Sequence, residues 1–355
     1  MVPRRQFLGS IAACFVASGS TASFASMWPG NPGSLNDLKW GSVVIESLPQ
    51  NAAYRSPVIT GVSLQKNGDL LAIVGDDHVI GIYDTRRQIY VEHLKRHTDW
   101  VRASEFSPDG TKLATAGNDR ALMLWNVSAW SEPTMIQRHP EAIIDVAFSH
   151  SGTELATVGF DEWLRIYDVQ SGDQVQKIEC PCPDIHAVAY SADDQMLAAG
   201  GRCGTIRLWK TSDHSQVTEF KAHRQRIRSI EFTSDKKIVS AGDDQVVCIT
   251  DPNNPGLVRS FPRHASKLYA TKLLDDGLIA TAGSDNQIHI WQISDLQKVG
   301  TLKGHTGTVT SLAYSDKKLV SGSYDTHVRV WDTEQHTSIQ QRTTELGNGW
   351  NPALK

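Results

Sequence analysis

The stretch His97-Thr-Asp-Trp100-Val-Arg102-Ala-Ser-Glu-Phe-Ser107-Pro-Asp-Gly110, continued by Thr-Lys112-Leu-Ala-Thr115-Ala-Gly-Asn-Asp119-Arg-Ala121-Leu-Met-Leu-Trp125, decides the fold. Three short apolar and β-branched runs alternate with turn chemistry. In Ser107-Pro-Asp-Gly110 the proline presets one dihedral and the glycine accepts a positive φ, so the chain reverses there. The position of Trp125 returns along the chain as Tyr83, Trp125, Tyr167, Trp209, Thr250, Trp291 and Trp331, at intervals of 42, 42, 42, 41, 41 and 40 residues. Six residues before each stand Asp77, Asp119, Asp161, Cys203, Asp244, Asp285 and Asp325, acidic in all but one case. Turns like the first recur at Lys66-Asn-Gly-Asp69, His150-Ser-Gly-Thr153 and Asp275-Asp-Gly277, and a fourth run such as Tyr90 to Leu94 completes a sheet. A period of roughly 40–45 residues marks a repeat architecture. No run in the body combines helical length with a 3.6-residue period. The expected fold is all-β, a seven-bladed β-propeller of four-stranded antiparallel blades.

In register, these units resemble the WD-repeat propeller family over residues 43–343. The signature pair is complete in the last unit, as Gly304-His305 and Trp331-Asp332, and degenerate elsewhere, with loop histidines at His97, His139, His223 and His264. The resemblance implies a structural network linking that histidine, a Ser/Thr four residues before the turn aspartate, the aspartate and the tryptophan. It is expected complete as His97, Thr115, Asp119, Trp125; as His264, Thr281, Asp285, Trp291; and as His305, Ser321, Asp325, Trp331. Tyrosine substitutes in His139, Thr157, Asp161, Tyr167, and the fifth unit ends at Thr250 after His223, Ser240 and Asp244. Such a set satisfies buried polar groups in a chain: carboxylate from imidazole, imidazole with hydroxyl, hydroxyl from indole N–H.

His, Asp and Ser in contact imitate a hydrolase triad. Here the set repeats with the structural period and includes the tryptophan, so it is read as structural. No nucleophile elbow, phosphate loop, His-Glu-x-x-His or Cys-x-x-Cys pair is present. The reading is therefore not an enzyme, with no cofactor and no metal. A formal net charge of −4 gives no global basic footprint and argues against nucleic acid.

The N-terminus carries Arg4-Arg5, then Phe7-Leu8, then a modestly apolar run of small residues ending in Ser23-Phe24-Ala25. This is the layout of a signal peptide, and the paired arginines resemble a twin-arginine signal, which exports folded proteins to the bacterial periplasm. An uncleaved anchor is an alternative, Ile11-Ala12-Ala13-Cys14 resembles a lipobox, and a cytoplasmic location follows if the signal reading fails. A membrane partner follows only if this end is uncleaved or lipidated. The expected organisation is a signal peptide at 1–26, a linker at 27–42, the propeller at 43–343 and a tail at 344–355. Ser42 to Leu48 is expected to close the ring, with Ser338 to Thr343 as the competing edge.

The fourth unit lacks the network: Pro181, Ala199 and Cys203 stand where histidine, Ser/Thr and aspartate belong. In this family the histidine loop touches the aspartate turn. Cys203 is therefore expected near Cys180 or Cys182, with a Cys182–Cys203 disulfide preferred and three reduced thiols the open alternative. A loop of about 20 residues gives about 3 kcal/mol in the chain-entropy account, and an oxidising compartment permits it.

Family members most often bind on the histidine-loop face around the central channel. Positions three and five after the histidine and one before the aspartate point there. They give Trp100, Arg102, Phe160, His186, Arg202, Arg226, Arg228, Lys267, Tyr269 and Tyr324, joined by Asp76, Asn118, Asp184, Asp243 and Ser284. The arc from the fourth to the sixth unit reads as basic, with aromatics interspersed, the residue types that carry binding hot spots. The expected function is a non-catalytic scaffold for a protein or peptide of unknown identity. The alternative is a propeller enzyme or redox protein with a site in the channel.

Overall fold

The computed structural model describes residues 40–46, 56–130 and 132–333. These form seven four-stranded antiparallel sheets. Blade 2 runs through the strands Val101–Phe106, Lys112–Gly117, Ala121–Asn126 and Thr134–Arg138. Its second strand is buried at every position after Lys112. It does not alternate, because both faces of a blade pack on neighbours. The outer strand is mostly exposed, with only Ile136 partly sheltered against the core.

The core accordingly lies between blades. Ala156, Val158, Leu164 and Ile166 of blade 3 meet Ile185, Val188, Leu197 and Trp209 of blade 4. An equivalent cluster fills each of the other blade interfaces.

Polar groups join the blades along the inner strands. Ser63 Oγ accepts from Phe106 N at 3.1 Å, Glu105 from Phe148 N at 2.8 Å, Asp145 from Val188 N at 3.0 Å and Glu231 from Leu273 N at 3.3 Å. Each side chain thus satisfies an amide one blade further on, about one repeat away in sequence. At the closing seam Ser311 Oγ accepts from Val62 N at 3.0 Å.

Blade 7 is closed by the N-terminal strand Ser42–Glu46, which pairs antiparallel with His327–Asp332, Ser42 opposite Trp331 and Glu46 opposite His327. Of the stretch expected as linker (27–42), Trp40 is buried among the apolar residues of blades 6 and 7, and Ser42 already opens the strand. Apolar Trp40 gains more from that seam than from water. The competing edge 338–343, the signal peptide and the tail lie outside the described residues.

The aspartate turns share one device. The Oδ1 atoms of Asp119, Asp161 and Asp325 accept from the amides two residues on, at 3.1, 3.1 and 3.0 Å. In most blades the residue between is left-handed, with φ 67 at Arg120 and 72 at Thr326. Cys203 cannot make that bond, and Gly204 follows it with φ 66, free of the cost a side chain incurs there. A Cβ at Gly204 would lie 2.2 Å from the His223 carbonyl oxygen.

Candidate functional site at the channel mouth

In blade 2 the loop histidine joins both partners: His97 Nδ1 to Asp119 at 2.8 Å and Nε2 to Thr115 Oγ1 at 2.9 Å, while Trp125 Nε1 donates to Thr115 at 2.9 Å. Blade 7 repeats this with His305, Asp325, Ser321 and Trp331 at 2.9, 2.8 and 2.9 Å. Burial works against the Asp325 charge. The His305 hydrogen bond and two backbone amides outweigh it and hold the carboxyl well below the usual range. In blade 5, His223 reaches Asp244 and Ser240, and the short Thr250 leaves its own buried hydroxyl unbonded.

Two expected networks are wired differently. In blade 6 Asp285 takes His289 Nε2 at 2.7 Å instead of His264, whose Nε2 is left without a partner and whose ring lies edge-on to Trp291 at 4.9 Å. Burial and His289 press the His264 pKa down to about 4. Thr281 still accepts from Trp291 at 3.1 Å. In blade 3 Arg165 binds Asp161 at 2.6 Å, and Tyr167 reaches past Thr157 to His139 Nε2 at 2.8 Å. The cause is the same in both: the residue four after the aspartate has a side chain that can bond it. The equivalent residue in blade 2 is the silent Met123. His289 and Arg165 carry this signal in the sequence at the repeat period, and it was missed.

In blade 4 the structure brings Cys182 and Cys203 into a disulfide, Cα–Cα 6.1 Å, while Cys180 and Cys248 are buried free thiols. Burial pushes both thiols up to about 12.

Antiparallel succession puts the histidine loops and aspartate turns at one end of the central channel. Arg102, Phe160, His186, Arg226, Arg228, Tyr269 and Tyr324 line this bore, which encloses about 760 Å³. Trp100, Arg202 and Lys267 do not line it. Trp100 supports Arg102, whose guanidinium sits 4.8 Å from its ring centroid, and the other two are exposed at the rim. The expected basic arc is largely compensated. Arg226 pairs with Asp184, Arg228 holds Asp243 through Nε at 2.8 Å and Nη2 at 3.2 Å, and Arg228 also lies 5.0 Å over Tyr269. His186 Nε2 lies 2.7 Å from Asp184. Burial lowers its pKa, and Arg228 and Arg226 add to this against Asp184. Phe160 and Tyr324 remain 42% and 40% exposed.

Deeper in the bore is a set of charges that the sequence reading passed over. Glu105, Asp145, Glu231 and Lys272 line it, with Lys272 Nζ 3.0 Å from Glu231. Burial pushes Glu105 up to about 8 and Asp145 up to about 7. They sit six or eight residues after the loop histidines, so the same period would have found them. Among the described residues no group of three His, Cys, Asp or Glu is placed to hold a metal, and no helix is long and apolar enough to cross a membrane.

Comparison with known proteins agrees with this geometry. Stretches 88–126, 131–168, 172–210, 214–251, 256–292 and 296–332 match the WD domain, G-beta repeat model, together more than half of the chain, which belongs to that family. Each matched stretch begins in or just before one blade's outer strand and ends in the next blade's third, so every repeat clasps two blades. Proteins of this family typically act as protein-interaction scaffolds. A U3 snoRNP-associated protein-like EMB2271 of Arabidopsis thaliana is 35% identical over 83 residues, 22% of this chain and 17% of that protein. Mitochondrial division protein 1 of Schizosaccharomyces pombe is 33% identical over 79 residues, 22% and 12% respectively. The guanine nucleotide-exchange factor SEC12 of Rattus norvegicus is 39% identical over 62 residues, 17% and 15%. The chain thus matches less than a fifth of each of these relatives. All three are eukaryotic, and the bacterial, exported reading draws nothing from them.

Proposed function

We propose that this protein is a non-catalytic scaffold that binds a protein or peptide partner on the histidine-loop face, around the channel mouth. One contrast carries the reading. At that mouth, arginine and aromatic side chains are held in place and left facing the opening. The opposite face joins its own turns: Gln65 Nε2 to Gly110 O at 2.8 Å, Asp194 to the amides of His150 and Ser151 at 2.6 Å each, and Tyr314 OH to Asp275 at 2.9 Å. Rigid scaffolds carrying loop-borne aromatics and arginine are where binding energy concentrates. The alternative of an enzyme in the bore finds its nearest support in Glu105 and Asp145. Each carboxylate accepts from an amide of the next blade, which supports a role in holding the ring. The N-terminal Arg4-Arg5 layout further supports export to a periplasm, where the Cys182–Cys203 disulfide would persist; fractionation of the native cell checks this.

The test of the scaffold is affinity capture from native cell extract. The bait is run beside a variant with Trp100, Arg202, Arg228 and Tyr269 changed to alanine. A protein captured by the first and lost by the equally folded variant is the expected result. The same set captured by both moves the site off this face.

A further inference from the structure

Three arginines line the bore, and they are not equivalent. Arg226 gives a terminal nitrogen to Asp184, and Arg228 gives Nε and a terminal nitrogen to Asp243. Arg102 uses only Nε, on the neutral amide oxygen of Asn118 at 2.9 Å, with its guanidinium carbon 4.8 Å over the Trp100 ring centroid. Its two terminal nitrogens take no hydrogen bond or ion pair from the described residues. The charged and titratable groups acting on it are Tyr324, Asp99 and Arg228. Asp99 is committed to the Trp100 amide at 2.7 Å. A guanidinium held over an aromatic ring, tied at Nε and open at its fork matches a planar carboxylate, which takes two parallel N–H bonds.

We propose that Arg102 is the anchor for an acidic side chain of a peptide segment lying across the histidine-loop face, flanked by apolar residues that rest on Phe160 and Tyr324. This rests on the scaffold reading and names its ligand chemistry. Three observations fix the form of the ligand. The open guanidinium of Arg102 is at the mouth, while Asp145 and Glu105 line the bore deeper. Among the described residues lining the bore below the mouth, the one amine, Lys272, is held by Glu231 at 3.0 Å, so the open donors for a carboxylate are at the mouth. Among the described residues Arg102 alone of the three keeps both terminal nitrogens open, while Arg226, with Nε unpartnered, is already held by Asp184; this suits a single carboxylate rather than a phosphate dianion needing several cations. The exposed rings on either side supply apolar contact at low entropic cost.

The test uses the full chain, immobilised, and capped heptapeptide pools. Six positions are randomised over uncharged residues, and the central one is Glu, Gln, Lys or phosphoserine. A fifth pool has central Gln and a free C-terminal carboxylate. The Glu pool is expected to be retained on the order of tenfold over the Gln and Lys pools. Arg102→Lys keeps the charge and loses the fork, and is expected to bring that preference to about twofold or less. Arg86→Lys, on the opposite face, keeps it, with melting temperatures matched among the variants. Equal retention of Glu and Gln pools, an undiminished preference in Arg102→Lys, no retention of any pool, or stronger retention of the phosphoserine or free-carboxyl pool would each overturn the proposal. If a captured protein is still lost with the four-alanine variant, the scaffold reading survives that failure.

Discussion

Blade wiring turns on single side chains near the aspartate. Met123 and Cys248 leave their blades' histidines bonded to aspartate and hydroxyl, whereas His289 and Arg165 take the aspartate for themselves. Arg329 stands at the same position in blade 7 and does not, because its guanidinium turns outward to the Gly304 carbonyl oxygen at 2.8 Å. Gly304 makes that room: a Cβ there would lie 2.8 Å from the Arg329 guanidinium carbon. Blade 3 has Arg138 at the corresponding place. These differences predict unequal costs for removing network members. Thr115→Val strands a buried indole N–H and an imidazole nitrogen, so it is expected to cost about 1–3 kcal/mol. His264→Leu removes no side-chain hydrogen bond among the described residues and is expected to stay within about 1 kcal/mol. Chemical denaturation of both variants beside the parent checks the order. Equal losses would mean His264 is bonded after all.

At the level of strands and sheets, the sequence carried most of the answer. The repeat period and the turn residues locate the blades, because a sheet packed on both faces needs apolar runs of fixed length between reversals. The run Ser42 to Leu48 was legible as the closing edge, and within it Ser42–Glu46 forms the strand. What stayed hidden was the choice among bonding partners at one place, as with His264 against His289 near Asp285. A period says which residues meet but not which geometry wins. The inner-strand acids were hidden differently: Glu105 reads as an exposed strand residue until the neighbouring blade's amide is placed 2.8 Å away. Closure by the N-terminal strand gives a second prediction. Deleting residues 40–46 exposes the edge of His327–Asp332 and uncovers the seam around Ile45 and Val328. It is expected to lower the melting temperature well beyond a deletion of 344–355. Equal effects would place the closing strand elsewhere.

For the whole ring, two sets of carboxylates pull stability in opposite directions with pH. Asp119, Asp244, Asp285 and Asp325 are held below the ordinary range when folded. They support the fold above the unfolded carboxylate pKa, and that support is lost as pH falls below about 4. Glu105 and Asp145, raised to about 8 and about 7, hold their protons more tightly folded than unfolded. Their contribution is full at low pH and drains away as pH climbs from about 4 to about 8. Burial presses His139, His186 and His264 down to about 4, so they resist protons that the unfolded chain takes up below about pH 6.5. The melting temperature is therefore expected to peak near about pH 6 and decline towards about pH 8. Glu105→Gln keeps an oxygen for the Phe148 amide and is expected to flatten the decline. An unchanged slope in that variant would remove Glu105 as its source.

The closing ladder also sets how the ring responds to force. Ser42 faces Trp331 at the end where the chain enters and leaves the ring, and Glu46 faces His327 at the far end. Tension between residues 41 and 333 therefore loads one rung at a time, beginning at Ser42 and Trp331, instead of shearing all rungs together. A tether pulling on both ends would peel the clasp open at low load.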